Sequence, residues 1–500
     1  MGKHRRDSYL QPPGLRLSGY IILVSLLVLV IVVEALSVME WAAYPYFPDK
    51  SLLFAKTDAT IFDLLAPFSP ALLVLLLYTW VPRLAVSFDN RFSKRLNNIF
   101  NQLAQSVSSL IPRVPPDSVN RITLTDRPRL LLVVAVVSAI LLALVPYRPN
   151  LNPAMTPVGV DAHYYVEWVN QMLQLPPAGA FSYAIGNASY GSRPLILIPI
   201  YLVVSTGLVS TIRAVELLPA VLGPLVALSA FVFVREGQQS EKMAGVVSLF
   251  SVFSFYATVG MWAGFFANWL AVVEAYVFLT LLLRFLRSNS GSTFVLLTLM
   301  SLAMLLTHPW TGVVVLAVAS VFVLSVWRDS RKIVLLKALV VLLSVSMVVY
   351  VSKSIFVEGL ATAQYTSETI SGSGVSQLFS FWPNIIYSLF VFFNGLFANA
   401  ILLGLSIVAV IRLRFQDRFE RLLALWVAIG SIPFPLLESG LQVRILYDLP
   451  FPVLASMGLL FLIRPVGNGT LHSNLALLLV LLLSANYALR MATNLVAAPF

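Results

Sequence analysis

Apolar runs of about 17–25 residues, the length of a helix that crosses a bilayer, alternate with short polar intervals over most of the chain. They predict spanning helices near 18–38, 66–80, 129–146, 216–234, 243–261, 265–285, 292–307, 311–327, 333–351, 384–411, 420–437, 446–464 and 472–490. The expected fold is therefore an all-α integral membrane protein of about thirteen transmembrane helices. One apolar run, Pro194 to Thr211, is left out of this count for a reason that comes from charge.

Basic residues mark the cytoplasmic ends of membrane helices. Lys3, Arg5, Arg6 and Arg16 precede the first run and put the N-terminus inside. If Pro194 to Thr211 crossed, the later basic loops around Arg235, Arg284, Arg331 and Arg412 would fall on the wrong side. Treating it as re-entrant or interfacial returns them to the cytoplasm and leaves the C-terminus outside. Three regions follow: 1–128, two helices and a basic loop; 129–464, the main membrane module with outer loops 147–215 and 352–383; and 465–500, a last helix. Within the first, Phe88 to Leu110 carries Phe92, Leu96, Ile99, Phe100 and Leu103 beside Arg91, Lys94 and Arg95, the pattern of a helix lying on the inner leaflet.

The polar interval from Val158 to Arg193 breaks the apolar rhythm most strongly. Gly159 gives a turn, Asp161 stands where a helix N-cap would be, and Tyr165, Trp168, Val169 and Met172 recur at helical spacing. His163, Glu167 and Asn170 fall on the opposite side, so a short amphipathic helix is expected at the outer surface.

Composition narrows the function. Of 500 residues, 59% are hydrophobic and 11% charged, which leaves no room for a large soluble domain. The net charge of +11 is dispersed between apolar runs rather than gathered in a patch, so the bilayer is the expected partner and nucleic acid is not. No cysteine is present, which removes thiolate nucleophiles and ligands, and four unclustered histidines give no zinc spacing. Motifs for phosphate-binding loops, zinc hydrolases and elbow serines are absent from the sequence. Under the charge-based topology, Asp161, His163, Arg193, His308, Glu438, Arg444, Tyr447 and Asp448 all face outward. Acid, imidazole and guanidinium at one interface suit a substrate with a polar head and a lipid tail.

The order VGVDAHYY, RPLILIPIYLVVSTGL, VELLPAVLGPLVALSAFVFVREG, ANWLAVVEAYVFLTLLLRF and LTHPW, with VRILYDLPFPVLASMG near the end, resembles the GT-C superfamily of membrane glycosyltransferases over roughly residues 129–464. That resemblance implies a sugar donor carried on polyprenyl phosphate, a glycan, protein or lipid acceptor, and Asp161 as the catalytic carboxylate of the first external loop. On chemical grounds, Arg193 and Arg444 suit phosphate oxygens, His163 and His308 suit phosphate or sugar oxygens, and Tyr164, Tyr165 and Trp168 suit sugar stacking or interfacial anchoring, while the Arg-x-x-Tyr stretch of the resemblance adds Tyr447 to the substrate-binding candidates. Asp161 lacks a neighbouring carboxylate in the same turn, so the sequence supplies no metal pair and no cofactor beyond the lipid-linked co-substrate, and a metal requirement stays open. Asp161 can equally be a plain helix cap, and the two arginines can reach headgroups. The competing functions are a transporter or flippase of an amphiphilic lipid and a non-catalytic scaffold of the same fold. A cell membrane is the expected location.

Overall fold

The computed structural model describes residues 126–147, 152, 156–327, 332–356, 400–431, 439–462 and 470–494, and no strand occurs among them. The predicted spans at 18–38 and 66–80, the amphipathic segment Phe88 to Leu110, residues 357–383 of the second outer loop and Glu438 lie outside the described residues. Arg127–Met457 with Ser484–Phe500 form one compact unit, and Met1–Asp126 with Gly458–Leu483 a second. The described part of the second unit is helical, and the features below belong to the first, except for residues 458–462 and 470–483.

In chain order the helices are α1 (Pro128–Leu144), α2 (Ala162–Leu173), α3 (Pro177–Gly186), α4 (Pro194–Ser205), α5 (Thr211–Glu216), α6 (Leu218–Gln238), α7 (Glu241–Val252), α8 (Phe255–Ala263) and α9 (Phe266–Ser288). They continue with α10 (Gly291–Thr307), α11 (Pro309–Ser325), α12 (Lys332–Val340), α13 (Ser346–Phe356), α14 (Ala400–Arg412), α15 (Arg418–Ser431), α16 (Ser439–Asp448), α17 (Phe451–Leu462) and α18 (Thr470–Asn494). Starts follow the local chemistry. Proline opens α1, α3, α4 and α11, where a missing N–H costs nothing. Ser210, Ser240 and Ser254 accept a backbone N–H through their side chains ahead of α5, α7 and α8.

Five helical stretches are long and apolar enough to cross a membrane, and six if a bent pair counts as one. The count of about thirteen is not established by the described residues. Their lateral faces are lipid-like: Val133, Val137 and Leu141 project from α1 at 58, 49 and 60% exposure, while Leu131, Ala135, Ala139 and Leu142 turn inward. Small residues let the helices approach closely, as they do where hydrophobic exclusion cannot drive association. A Cβ on Gly223 would stand 3.0 Å from that of Ala139, and one on Gly245 would stand 2.9 Å from the Pro128 Cα. Within the most apolar 18 residues of Glu241–Ala263, 94% are buried, against 39% for those of Pro128–Tyr147, so the former is the central post of the unit.

The α4 helix holds 12 residues and rises about 18 Å, short of the ~30 Å hydrocarbon core. Elsewhere the simple rods are interrupted. The stretch expected at 243–261 breaks between α7 and α8, where Ser254 recaps the chain. The one expected at 333–351 contains a π-helical turn at Val341–Val345. The one expected at 446–464 is replaced by α16 and α17, bent by 52°. Pro450 explains that bend, since it has no N–H to donate and pushes Leu449 away from helical geometry.

Candidate functional site

The site is built on two breaks in the helical pattern that lie back to back. The turn before α2 runs past the turn between α8 and α9, with Val160 N donating to the Trp262 carbonyl and Asp161 N to that of Ala263, both at 3.0 Å. Gly159 at φ +120° and Gly264 at φ +68° permit the approach. Asp161 thereby enters α2 with helical backbone angles and makes no side-chain cap hydrogen bond. Its carboxylate turns to the arginines instead. Arg444 Nη2, on α16, donates to Asp161 Oδ2 at 3.1 Å, and Arg193 Nη1, at the start of α4, lies 4.0 Å from the same oxygen. The three side chains are 17, 23 and 13% exposed, dry enough for the charges to matter and open enough for a ligand to reach them.

Each arginine is held from behind. Arg193 Nη1 also donates to the Tyr165 hydroxyl at 3.1 Å, which accepts from Ala267 N at 3.1 Å, and its guanidinium sits 5.8 Å from the rings of Tyr165 and Trp168. Lys353 fixes the preceding turn by donating to the Gly191 carbonyl at 2.5 Å. The Arg444 guanidinium lies 4.8 Å from the Phe265 ring centre. Two guanidinium groups therefore face one carboxylate, and the trio has a net positive charge.

A second polar cluster, buried among α9, α11 and α16, adjoins it. Asp448 follows Arg444 by one helical turn and is 2% exposed. Asn268 Nδ2 donates to Asp448 Oδ1 at 2.5 Å, and Thr311 Oγ1 is 2.9 Å from both carboxylate oxygens. His308 Nδ1 lies 2.8 Å from Thr311 Oγ1 and accepts Thr311 N at 3.4 Å, capping α11. Burial pushes the His308 imidazole well below its usual pKa, and the positive charges of Arg444 and Arg193 act in the same direction. Both effects favour the uncharged imidazole.

Of the sequence-derived candidates, the structure brings together Asp161, Arg193, Arg444 and Tyr165, with His308 in the adjoining cluster. Tyr165 is fully buried, so it buttresses Arg193 rather than stacking on a sugar. Tyr164 is 44% exposed, stacked 5.8 Å from Trp168, with His163 beside it on the outer side of α2. Neither joins the arginine cluster. Tyr447 stands apart in a different sense: it is fully buried and its hydroxyl donates to the Tyr256 carbonyl at 2.6 Å, while Tyr256 donates to the Leu449 carbonyl at 2.8 Å. These two bonds tie α16 and the proline break to α8. Tyr447→Phe should cost about 1–3 kcal/mol of stability, the usual penalty for orphaning a buried partner, and leave ligand affinity unchanged. Thermal unfolding in detergent beside a carrier-lipid titration checks it; a large affinity loss at unchanged stability would place Tyr447 in the site.

Sequence reasoning assigned no role to Thr311 or Asn268, and placed Asp448 only among the outward-facing polar residues. The available signal was polarity inside apolar helices, which is costly and so meaningful. Among the described residues no group of three or more His, Asp or Glu side chains is placed to hold a metal ion. Comparison of the sequence with known protein families and with characterised proteins finds no match.

Proposed function

We propose that this chain is a membrane glycosyltransferase that moves a sugar from a polyprenyl-phosphate carrier to an acceptor hydroxyl at the outer membrane face, with Asp161 as general base. The observation that carries the reading is the Asp161 carboxylate, freed from helix capping and faced by two arginines 3.1 and 4.0 Å away. In the reaction the acceptor oxygen bonds to the anomeric carbon as the bond from that carbon to the phosphate oxygen breaks. Asp161 takes the acceptor proton, and Arg193 and Arg444 stabilise the charge gathering on the departing phosphate. Arginine suits that task through its planar fork of donors. The carrier's lipid tail has exposed apolar helix faces to lie against.

A second reading, movement of a lipid-linked substrate across the membrane, draws on the bent pair α16 and α17, since broken helices with polar residues at the break line transport paths. One experiment separates the two. Purified protein in nanodiscs is offered a panel of radiolabelled polyprenyl-phosphate sugars with candidate acceptors, and in parallel the same lipids are followed across proteoliposome leaflets. Transfer or donor hydrolysis supports the enzyme, and leaflet exchange without turnover supports the carrier. Arg444→Lys, which keeps the charge but loses the fork, should lower transfer about tenfold to a hundredfold through weaker phosphate contact. Wild-type transfer by that variant would remove Arg444 from the phosphate site.

A further inference from the structure

The buried cluster behind the arginines poses a question of proton count that its geometry answers. Thr311 has one hydroxyl proton, yet its oxygen lies within hydrogen-bond distance of His308 Nδ1 at 2.8 Å and of both Asp448 oxygens at 2.9 Å. His308 Nδ1 also accepts the Thr311 backbone N–H, so it carries a lone pair and no proton. Two lone pairs would then face one another at 2.8 Å unless the Thr311 hydroxyl donates to Nδ1. With that proton spent, Thr311 Oγ1, which also accepts from Asn268 Nδ2 at 3.1 Å, can meet Asp448 only as an acceptor. One carboxyl oxygen of Asp448 then bears a proton and donates it; because Oδ1 accepts from Asn268 Nδ2, we assign that proton to Oδ2. The whole chain is then satisfied in one direction: Asp448 Oδ2–H to Thr311 Oγ1, Thr311 O–H to His308 Nδ1. The neutral imidazole keeps its one proton on Nε2.

We propose that Asp448, Thr311 and His308 form a proton-donating relay for the site, in which His308 Nε2–H protonates the departing phosphate oxygen. This rests on the glycosyl-transfer reading, where Asp161 removes a proton from the acceptor and the leaving group gains charge. As Nε2 gives up its proton, Nδ1 takes the Thr311 hydroxyl proton and Thr311 takes that of Asp448. One proton leaves Asp448 and one arrives on the phosphate; no other bond changes in the relay. The carboxylate left behind is met by Asn268 Nδ2 and the Thr311 hydroxyl, with the Arg444 guanidinium one turn away on α16. Two carboxyl groups with opposite duties thus neighbour Arg444: Asp161, hydrogen-bonded to it, and Asp448, buried one turn further along α16. Asp448 and Thr311 act through His308 and are positioning residues and proton source.

Asp448→Asn is the decisive variant, because its carboxamide N–H can replace the carboxyl O–H toward Thr311 yet cannot be surrendered. The fold and the His308 tautomer should survive, while transfer falls ~10²-fold or more, the typical worth of a general acid. Thr311→Val should fall equally, Thr311→Ser should recover most of the rate, and the Thr311→Val, Asp448→Asn double variant should be no worse than either single one. In the resting protein, infrared difference spectra should show a carboxylic acid band lost in Asp448→Asn. Nitrogen-15 NMR, assigned by His308→Gln among the four histidines, should show the Nε2–H form. Wild-type transfer by Asp448→Asn overturns the relay and leaves a structural cluster, as does an Nδ1–H imidazole with no acid band. If the wild type transfers nothing, the glycosyl-transfer reading falls and takes the acid role with it, while the two spectra still decide where the proton resides.

Discussion

Asp161→Asn should reduce sugar transfer by ~10²–10⁴, the range lost with a positioned general base, while binding the polyprenyl-phosphate carrier at least as tightly as the wild type. The two halves of that expectation come from different atoms. Asparagine keeps the shape of the side chain and caps helices as well as aspartate does, so a residue that merely began α2 would tolerate the change. What it loses is the ability to take a proton and the negative charge that now faces Arg444 at 3.1 Å and Arg193 at 4.0 Å. Without that charge Asp161 no longer offsets the attraction of the guanidinium pair for an anionic phosphate. The measurement is single-turnover transfer alongside a titration with the sugar-free carrier phosphate. A collapse in rate at equal or lower Kd establishes the base. Loss of rate that merely tracks lost affinity would instead make Asp161 a binding residue, and an unchanged rate would end its catalytic role.

How much of this was legible in the sequence differs between fold and site. The face of α2 was readable because Tyr165, Val169 and Met172 repeat with the helical period, and all three are buried. The start of α4 and α11 at proline was readable for the same local reason. Breaks inside apolar runs were harder, since Ser254 sits in a segment whose hydropathy is continuous and only its hydrogen bond to Tyr256 N marks the new helix. The site was harder again. Asp161 and Arg444 are separated by 283 positions, and nothing local to either announces the other. Periodicity reports which face of a helix is apolar, but the partner of a polar side chain depends on how helices pack. Asn268 and Thr311 show the limit: each is a small polar residue in the first turn of a largely apolar helix, and their meeting at Asp448 exists only in three dimensions.

The same packing makes Gly264 the position where one methyl group should do most damage. Its φ of +68° is a conformation that costs an L-residue about 1–2 kcal/mol. A Cβ there would also stand 2.9 Å from the backbone nitrogens of both Asp161 and Ala162, atoms of the main chain that cannot swing aside as a side chain does. Gly264→Ala must therefore push the first turn of α2 away from the α8–α9 break. That weakens the bonds from Val160 and Asp161 to the Trp262 and Ala263 carbonyls. The expected loss of stability is on the order of 3 kcal/mol, strain and overpacking together. Transfer should fall about 10²-fold, since a displacement near 1 Å between base and substrate costs that much. Gly207→Ala supplies the comparison: its φ is +75° but no atom lies within 4 Å of the added Cβ, so it bears the backbone strain alone. Thermal unfolding and transfer rates of the two variants should diverge, with Gly207→Ala slightly destabilised and fully active. If Gly264→Ala instead matches Gly207→Ala in both, the two breaks do not need their close contact to aim Asp161 at the arginines.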